Sequence, residues 1–180
     1  MALIYRNFRG DTYYLHERLT KKGNKTFHFS KRLDASTSAG EIPSGYEIYE
    51  EPNGKVYVRK QTKPIIKQEE INIIREGMKK HCTVDDYKLD SKKNVIYVYT
   101  IEDSFQDLPI PLSLGSKYKH YETKLRFVLV DKADRFFEVE RFCYLGGIDD
   151  WITLDCSEDL KELVREYVQH LGKESFYELM

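Results

Sequence analysis

The sequence has few cysteines and no long apolar run. Its three cysteines, Cys82, Cys143 and Cys156, are odd in number and widely spaced. Because disulfide frameworks use paired cysteines, this argues against a stapled secreted domain and favours a reducing cytosol. No apolar segment approaches the ~20 residues that span a membrane, and Arg6 interrupts the N-terminus before the ~7–15 apolar residues of a signal peptide. We therefore expect a cytoplasmic protein without a membrane partner.

Several catalytic motifs are missing too. The chain contains no serine elbow, no phosphate-binding glycine loop and no Cys/His pair suited to nucleophilic catalysis. His16 and His28 are the best-placed histidines for a metal, but other ligands are not close in sequence, and structural zinc needs about four. No metal site and no cofactor is therefore predicted, and the sequence leans towards a protein that is not an enzyme.

Tyrosine and unevenly distributed charge are what the chain has in excess. Tyrosine accounts for 14 of 180 residues, and its flat amphipathic ring favours half-buried β-structure. Residues 1–67 hold 13 Lys and Arg against 7 Asp and Glu, net +6, whereas residues 68–180 hold 16 against 23, net −7. We expect a basic N-terminal β-sheet unit over 1–63 and an acidic C-terminal α+β unit over 64–180. The two either dock on each other as one globule or serve separate partners.

The N-terminal segment has the pattern of a β-meander. The runs LIYRN, TYYLHER and KTFHFSK predict three strands, separated by the turns FRGD and TKKGN. The first turn contains Arg9-Gly10-Asp11, the tripeptide that adhesion proteins present to integrins. Gly10 supplies the backbone freedom that a tight turn needs, and Asp11 can close a turn through its side chain. In a cytosolic protein we interpret the tripeptide as a turn.

Alternation along the second and third strands assigns their side chains to two faces. A register that pairs Leu15 with Phe29 places His16 opposite His28. The core-facing set is Tyr13, Leu15, Phe27 and Phe29, and the opposite set is Tyr14, His16, Arg18, Thr26, His28 and Ser30.

A further hairpin follows a polar loop. The segment YEIYEEPNGKVYVRK turns at Pro52 and Gly54, which suits a three-residue loop with a bulge. That register places Tyr49 opposite Tyr57. Together the N-terminal strands predict one tyrosine-rich antiparallel sheet of about five strands.

The C-terminal unit mixes helical and strand patterns. Apolar residues at helical spacing predict a helix from about Lys67 to His81. Two hairpins follow, VDDYKL with NVIYVYT across DSKK, and TKLRFVLV with RFFEVERFCYL across DKAD, where FVLV suits a central strand buried on both faces. DCSEDLKELVREYVQHLG predicts an amphipathic helix that ends at Gly172. The fold class is therefore α+β, with a second antiparallel sheet packed by two amphipathic helices.

The polar face of the N-terminal sheet is the first candidate site. Tyr14, His16, Arg18 and His28 interleave aromatic and basic groups, and single-stranded nucleic acid is held this way because bases stack on rings while phosphates meet cations. We hypothesise a surface for nucleic acid or another anionic partner. The alternative is a solvated polar face, or one covered by the second unit, since half-exposed antiparallel sheets ordinarily carry such a face.

The segment YLGGIDDWI is the second candidate. Asp149, Asp150 and Trp151 follow a glycine pair at the end of a strand, and carboxylates beside an aromatic ring can bind a cation or act as acid and base. The alternative is a glycine turn before a short strand, with Trp151 filling the core between the sheet and the final helix.

Several sequence blocks also carry a resemblance to a protein family. They are RGDTYYLH with the following FHFSK, IPSGYEIYEEPNGKVYVRK, ERFCYLGGIDDWI and HLGKESFYELM. On these blocks the chain resembles a family of uncharacterised microbial proteins, and the similarity spans most of the chain. The resemblance implies no established activity, cofactor or catalytic residue.

Three functions stay open at this point. The leading hypothesis is a non-enzymatic cytosolic binding protein that recognises nucleic acid or another anionic partner through the N-terminal sheet. The first alternative is an enzyme with an acidic site in the C-terminal unit, formed by Asp149 and Asp150 beside Trp151, with Mg²⁺ as one candidate cation. Separately, Glu122 and Lys124 with the upstream Asp107 loosely match a nuclease pattern. The second alternative is a protein-interaction module whose open sheet edge accepts a partner strand. No oligomeric state is predicted.

Overall fold

The chain divides into two compact units. The computed structural model describes residues 2–101, 119–144 and 149–180. Within these ranges the chain forms ten strands and two helices, so the fold is α+β as predicted. The N-terminal unit contains residues 2–63 with Lys119, and the C-terminal unit contains 64–101, 120–144 and 149–180.

A three-stranded antiparallel sheet begins the N-terminal unit. Its strands, in the spatial order β1-β2-β3, are β1 (Ile4–Arg6), β2 (Thr12–Leu19) and β3 (Lys25–Ser30). Leu15 pairs with Phe29 and His16 with His28, which confirms the predicted register. Gly10 adopts a φ of 82° in the turn after β1, and its N–H donates to the Asn7 carbonyl at 2.9 Å. The Arg-Gly-Asp tripeptide therefore lies in a turn, as expected.

A separate two-stranded sheet completes the N-terminal unit. It consists of β4 (Tyr46–Glu50) and β5 (Val56–Lys60), with Tyr49 opposite Tyr57 as predicted. The prediction of one five-stranded sheet is wrong, because β3 and β5 form no backbone pairing. Side chains fix the second hairpin instead. The Asn7 side-chain amide donates to the Gly54 carbonyl at 2.6 Å, and the Phe8 N–H donates to Glu50 Oε1 at 2.9 Å.

The C-terminal unit is a five-stranded antiparallel sheet with two helices. Its elements are α1 (Gln68–His81), β6 (Tyr87–Lys92), β7 (Val95–Ile101), β8 (Tyr121–Asp131), β9 (Phe136–Tyr144), β10 (Asp149–Ser157) and α2 (Leu160–Val168). The strand order is β10-β9-β8-β7-β6, so β8 is central, as the FVLV run predicts. Neither described helix has the length and apolar stretch that crossing a membrane requires.

The core of this unit lies between the helices and one face of the sheet. Alternation directs Leu125, Phe127 and Leu129 of β8 to this face, where they cluster with Ile74 of α1 and Leu163 of α2. The other face receives the intervening residues. The prediction that the FVLV run is buried on both faces is therefore wrong, since the last valine of that run is 54% exposed.

Several element boundaries differ from the prediction, among them the end of α2, which lies at Val168 rather than at the predicted Gly172. The β6–β7 turn is Lys93-Asn94, where Lys93 has a φ of 55°, and most of the predicted DSKK turn belongs to β6. The last strand continues to Ser157, and α2 begins only after Asp159. The Asp159 carboxylate accepts the N–H groups of Lys161 and Glu162 at 2.9 and 3.2 Å. This N-cap satisfies two helix donors that lack partners inside the helix.

Candidate functional site

The two histidines of the first candidate site lie side by side. His16 and His28 pair across β2 and β3, and their rings stack with centroids 5.5 Å apart and planes at 25°. Their surroundings differ, because His16 is 3% exposed while His28 is on the surface. The structure therefore brings the pair together without making it one continuous surface.

The segment after β3 covers His16. It returns across this face, so that the Thr37 carbonyl accepts the Glu17 N–H at 2.7 Å. His16 Nε2 lies 2.9 Å from the Arg32 carbonyl, and His16 Nδ1 lies 2.8 Å from the Thr37 hydroxyl. Since a carbonyl only accepts, Nε2 is the donor, and in the neutral ring Nδ1 accepts from the hydroxyl. His16 is thus a buried, fully hydrogen-bonded residue that offers nothing to a ligand.

The remaining members of this set line a smaller surface. Tyr14 pairs with Ser30 and is half-buried, whereas Arg18 pairs with Thr26 and is exposed. Together with His28 they leave one ring, one guanidinium and one imidazole accessible. The accessible basic face is therefore smaller than predicted, because it lacks His16.

A groove that the sequence does not predict lies between β3 and β5. Its volume is about 470 Å³, and residues 27–31, residues 55–58 and Tyr13 line it. The walls are mostly apolar or aromatic, with lysines at the rim. The alternation of Phe27 with Phe29 was visible in the sequence. It did not indicate that the edge of β3 would face the edge of β5.

Two lysines supply the positive charge of this groove. The Lys31 ammonium lies 5.6 Å from the Tyr13 ring centroid and 2.8 Å from Asp11 Oδ2. The Lys55 ammonium lies 5.1 Å from the Tyr57 ring centroid. The hydrogen bond to Asp11 raises the pKa of Lys31, and a hydrogen bond to Tyr57 raises the pKa of Lys55. Both therefore stay protonated well above neutral pH.

The carboxylates of the second candidate site do not converge. Asp149 and Asp150 are exposed neighbours at the start of β10, so their side chains point to opposite faces of the sheet. The Asp150 carboxylate accepts the N–H of the next residue, Trp151, at 2.7 Å. The glycine pair that precedes them falls outside the described residues.

Trp151 is not in the core between sheet and helix, so that prediction is wrong. Its ring packs edge-on against Phe142 and Tyr97, with centroids 5.3 and 6.3 Å away. The Arg126 guanidinium carbon lies 4.1 Å from the Trp151 ring centroid, and the guanidinium also pairs with Glu140. Arg126 alternates with core residues of β8, so this cluster occupies the face opposite the helices. β10 is also longer than the short strand expected.

The hypotheses of a metal site have little support in the described residues. No group of three or more His, Cys, Asp and Glu side chains that could hold a metal occurs in the part of the chain that the structure describes. Glu122 is partly exposed, and Lys124 is 8% exposed within β8. Asp107, the third member of the nuclease pattern, lies outside the described residues.

Comparisons with known proteins leave the fold and the groove as the guides to function. No protein-family model, curated protein or solved structure gave a significant match to this chain. The resemblance to an uncharacterised microbial family therefore stays a prediction from the quoted blocks.

Proposed function

We propose that this chain is a non-enzymatic binding protein that holds an anionic partner on its N-terminal unit. The groove between β3 and β5 carries this proposal. Its volume of about 470 Å³ falls in the ~300–1,000 Å³ range of ligand pockets, which combine apolar walls with a few polar groups. The polar groups here include the cations Lys31 and Lys55. Lys31 is ion-paired with Asp11, so Lys55 supplies most of the net positive charge that favours a negative ligand. His28 also lines the groove, and Tyr14 and Arg18 lie on the same face of the sheet as His28.

The surrounding charge supports an anionic partner. The first 67 residues carry a net charge of +6, and such a field steers oppositely charged partners to the surface and accelerates association. All three cysteines are free, which supports placing the protein in the cytosol. The enzyme alternative has less support, because the side chains of its candidate residues Asp149 and Asp150 point to opposite faces of the sheet.

Fluorescence anisotropy with labelled anionic probes tests the proposal. The probes are single-stranded DNA, single-stranded RNA, duplex DNA and an acidic peptide, each titrated at several salt concentrations. We expect at least one probe to bind, with affinity that falls as salt rises, because screening weakens contacts between exposed charges. Lys55→Met should weaken binding several-fold and reduce the salt dependence, because it removes one cation from the groove while keeping an apolar stem.

Lys22→Met is the matched control. Lys22 is exposed in the β2–β3 turn, outside the groove, and carries the same charge as Lys55. We expect its loss to change affinity far less. Arg18→Ala and His28→Ala test the adjoining surface. No binding of any probe at low salt, or equal losses in Lys55→Met and Lys22→Met, would count against the groove.

A further inference from the structure

The backbone of β3 directs hydrogen-bonding groups towards the groove, and these groups have no backbone partner in the part of the chain that the structure describes. On β2, the N–H groups of Leu15 and Glu17 donate to carbonyls on the side away from β3, at 3.0 and 2.7 Å. Their cross-strand partners are Phe29 and Phe27. These are therefore non-hydrogen-bonded pairs, in which both residues direct their N–H and C=O groups away from the partner strand. Phe27 and Phe29 therefore point their backbone groups away from β2, along the open edge.

The facing strand β5 also directs backbone N–H and C=O groups away from its partner strand. The Glu51 N–H donates to the Lys55 carbonyl at 3.0 Å, so this pair is hydrogen-bonded. Hydrogen-bonded and non-hydrogen-bonded pairs alternate along an antiparallel ladder. Val56 and Val58 thus direct their N–H and C=O groups away from β4. Both valines line the groove.

Within residues 2–101, 119–144 and 149–180, two strand edges without a backbone partner therefore border one cavity. Both β3 and β5 are terminal strands of their sheets. Among the described residues, no backbone hydrogen bond outside the strand pairs involves Phe27, Phe29, Val56 or Val58. Natural proteins rarely leave such edges open, because an open edge is a template for pairing with another chain. Here four residues with outward-directed backbone groups and apolar side chains border the groove.

The separation of the strands limits how an added strand fits. Cα atoms of β3 and β5 approach within 8 Å. Paired strands lie about 4.7–4.9 Å apart, so a strand placed between two edges needs roughly twice that. The present gap is narrower than that, so a segment that pairs with the edge of β3 has to move the β4–β5 hairpin outwards. We assign the segment to β3, because five consecutive residues, 27–31, line the groove there.

We infer that the anionic partner is an extended acidic polypeptide segment that adds a strand to the edge of β3. This inference rests on the proposed function, and names its partner. Alternate apolar side chains of the segment would pack among Phe27, Phe29, Val56 and Val58, while acidic residues meet Lys31 and Lys55 at the rim. Strand addition takes affinity from main-chain hydrogen bonds and specificity from the pockets that hold alternate side chains.

The backbone groups favour a polypeptide over a nucleic acid. Bases can stack on the rings of Phe27 and Phe29, and phosphates can contact lysines. A sugar–phosphate chain, however, carries no alternating N–H and C=O groups. It would bury the edge of β3 without satisfying it, and each buried unpaired backbone group is costly. An extended peptide satisfies the same groups.

Backbone N-methylation of a peptide probe isolates the strand pairing. The probe is a short labelled peptide that alternates glutamate and valine. Two methylated versions carry N-methyl groups on either the glutamate or the valine nitrogens, with identical charge and side chains. An added strand pairs along one of its edges, so one version should bind at least about tenfold more weakly, while the other stays close to the parent peptide.

Variants of β3 provide the matching test on the protein. Phe27→Ala and Phe27→Pro both remove the ring, but only proline removes the N–H that points outward. Proline is tolerated on an edge strand at such a position. We expect Phe27→Pro to bind the peptide about tenfold more weakly than Phe27→Ala. Circular dichroism shows whether both variants keep their β-structure. The methylated peptides are tested on the unchanged protein, so that test does not depend on the folding of a variant.

The outcomes separate this inference from the proposed function. Equal binding of all three peptides would overturn strand addition and leave an electrostatic groove. Binding of oligonucleotides without binding of peptides would also overturn the inference, while the anionic partner stands. Failure of every probe would remove both. Self-association in sedimentation that Phe27→Pro abolishes would show that a second copy of the chain occupies the edge, which contradicts an acidic partner.

Discussion

At the residue scale, His16 and His28 show how neighbouring positions acquire different roles. They face the same side of one sheet in register, yet the segment after β3 buries only His16. Both ring nitrogens of His16 are satisfied by protein groups, at 2.8 and 2.9 Å. A buried imidazole with two hydrogen bonds stabilises the fold, whereas an exposed one is available to a partner.

Matched substitutions should separate these roles. His16→Leu leaves the Arg32 carbonyl and the Thr37 hydroxyl without their partner, so we expect a loss of ~1–3 kcal/mol in the free energy of unfolding. His28→Leu should stay within about 0.5 kcal/mol, as is usual for surface changes. Urea unfolding followed by circular dichroism measures both. Similar losses in the two variants would show that the covering segment does not depend on His16.

At the element scale, local patterns predict the strands and helices well. The β2–β3 and β4–β5 registers follow from turn chemistry and alternation, and α1 begins within one residue of the predicted position. These features depend on residues close in sequence. The N-cap at Asp159 was missed, because Asp155 and Ser157 could equally begin a helix, and pairing with β9 decides that they belong to a strand.

Long-range packing is what the sequence leaves undetermined. The Asn7 side chain, which is distant in sequence, bonds to the β4–β5 turn, and β5 does not pair with β3. The alternative that Trp151 fills the core follows from the usual position of large aromatic residues. Its partners Phe142 and Tyr97 come from other strands. The groove arises from the same undetermined packing, since its walls come from strands about 30 residues apart in the chain.

The packing of α1 on α2 depends on a glycine. Gly77 lies in the interior of α1, where glycine costs about 1 kcal/mol relative to alanine. A Cβ atom at this position would lie 2.1 Å from Val164 Cγ1. Val164 is 1% exposed, and its β-branched side chain has little freedom to move away. The glycine therefore permits close approach of the two helices.

Gly77→Ala should destabilise the protein despite the gain in helix propensity. Overpacking of this kind costs ~1–3 kcal/mol, which exceeds the expected gain. In Gly77→Ala with Val164→Ala, the new methyl group gains room, so the double variant should lose less than the sum of the single variants. Lys79→Ala, on the exposed face of α1, is the control. Additive losses measured by urea unfolding would contradict a direct contact.

At the scale of the whole molecule, the two units have unequal cores. Among the described residues, 17 form the buried hydrophobic cluster of the C-terminal unit. In the described part of the N-terminal unit the buried hydrophobic residues are Tyr13, Leu15 and Val56. Hydrophobic burial is the main stabilising contribution to folding, so the smaller core implies the less stable unit. Open strand edges and the candidate binding groove lie in that unit.

Unfolding should therefore occur in two steps, and the single tryptophan makes them separable. Trp151 belongs to the C-terminal unit, so its fluorescence reports that unit, whereas circular dichroism reports both. We expect the dichroism signal to change first as urea rises. Leu15→Ala, a change at a fully buried position, should cost the N-terminal unit ~2–5 kcal/mol and leave the tryptophan transition unmoved.

The same experiment connects stability with the proposed binding. A partner that occupies the groove stabilises only the unit it contacts, by about 2.7 kcal/mol when its concentration is 100 times Kd. The acidic peptide should therefore raise the urea midpoint of the first transition and leave the tryptophan transition in place. A shift of both transitions together, with Leu15→Ala also moving the fluorescence, would mean that the two units unfold as one. A partner bound in the groove would then stabilise the whole chain rather than the N-terminal unit alone.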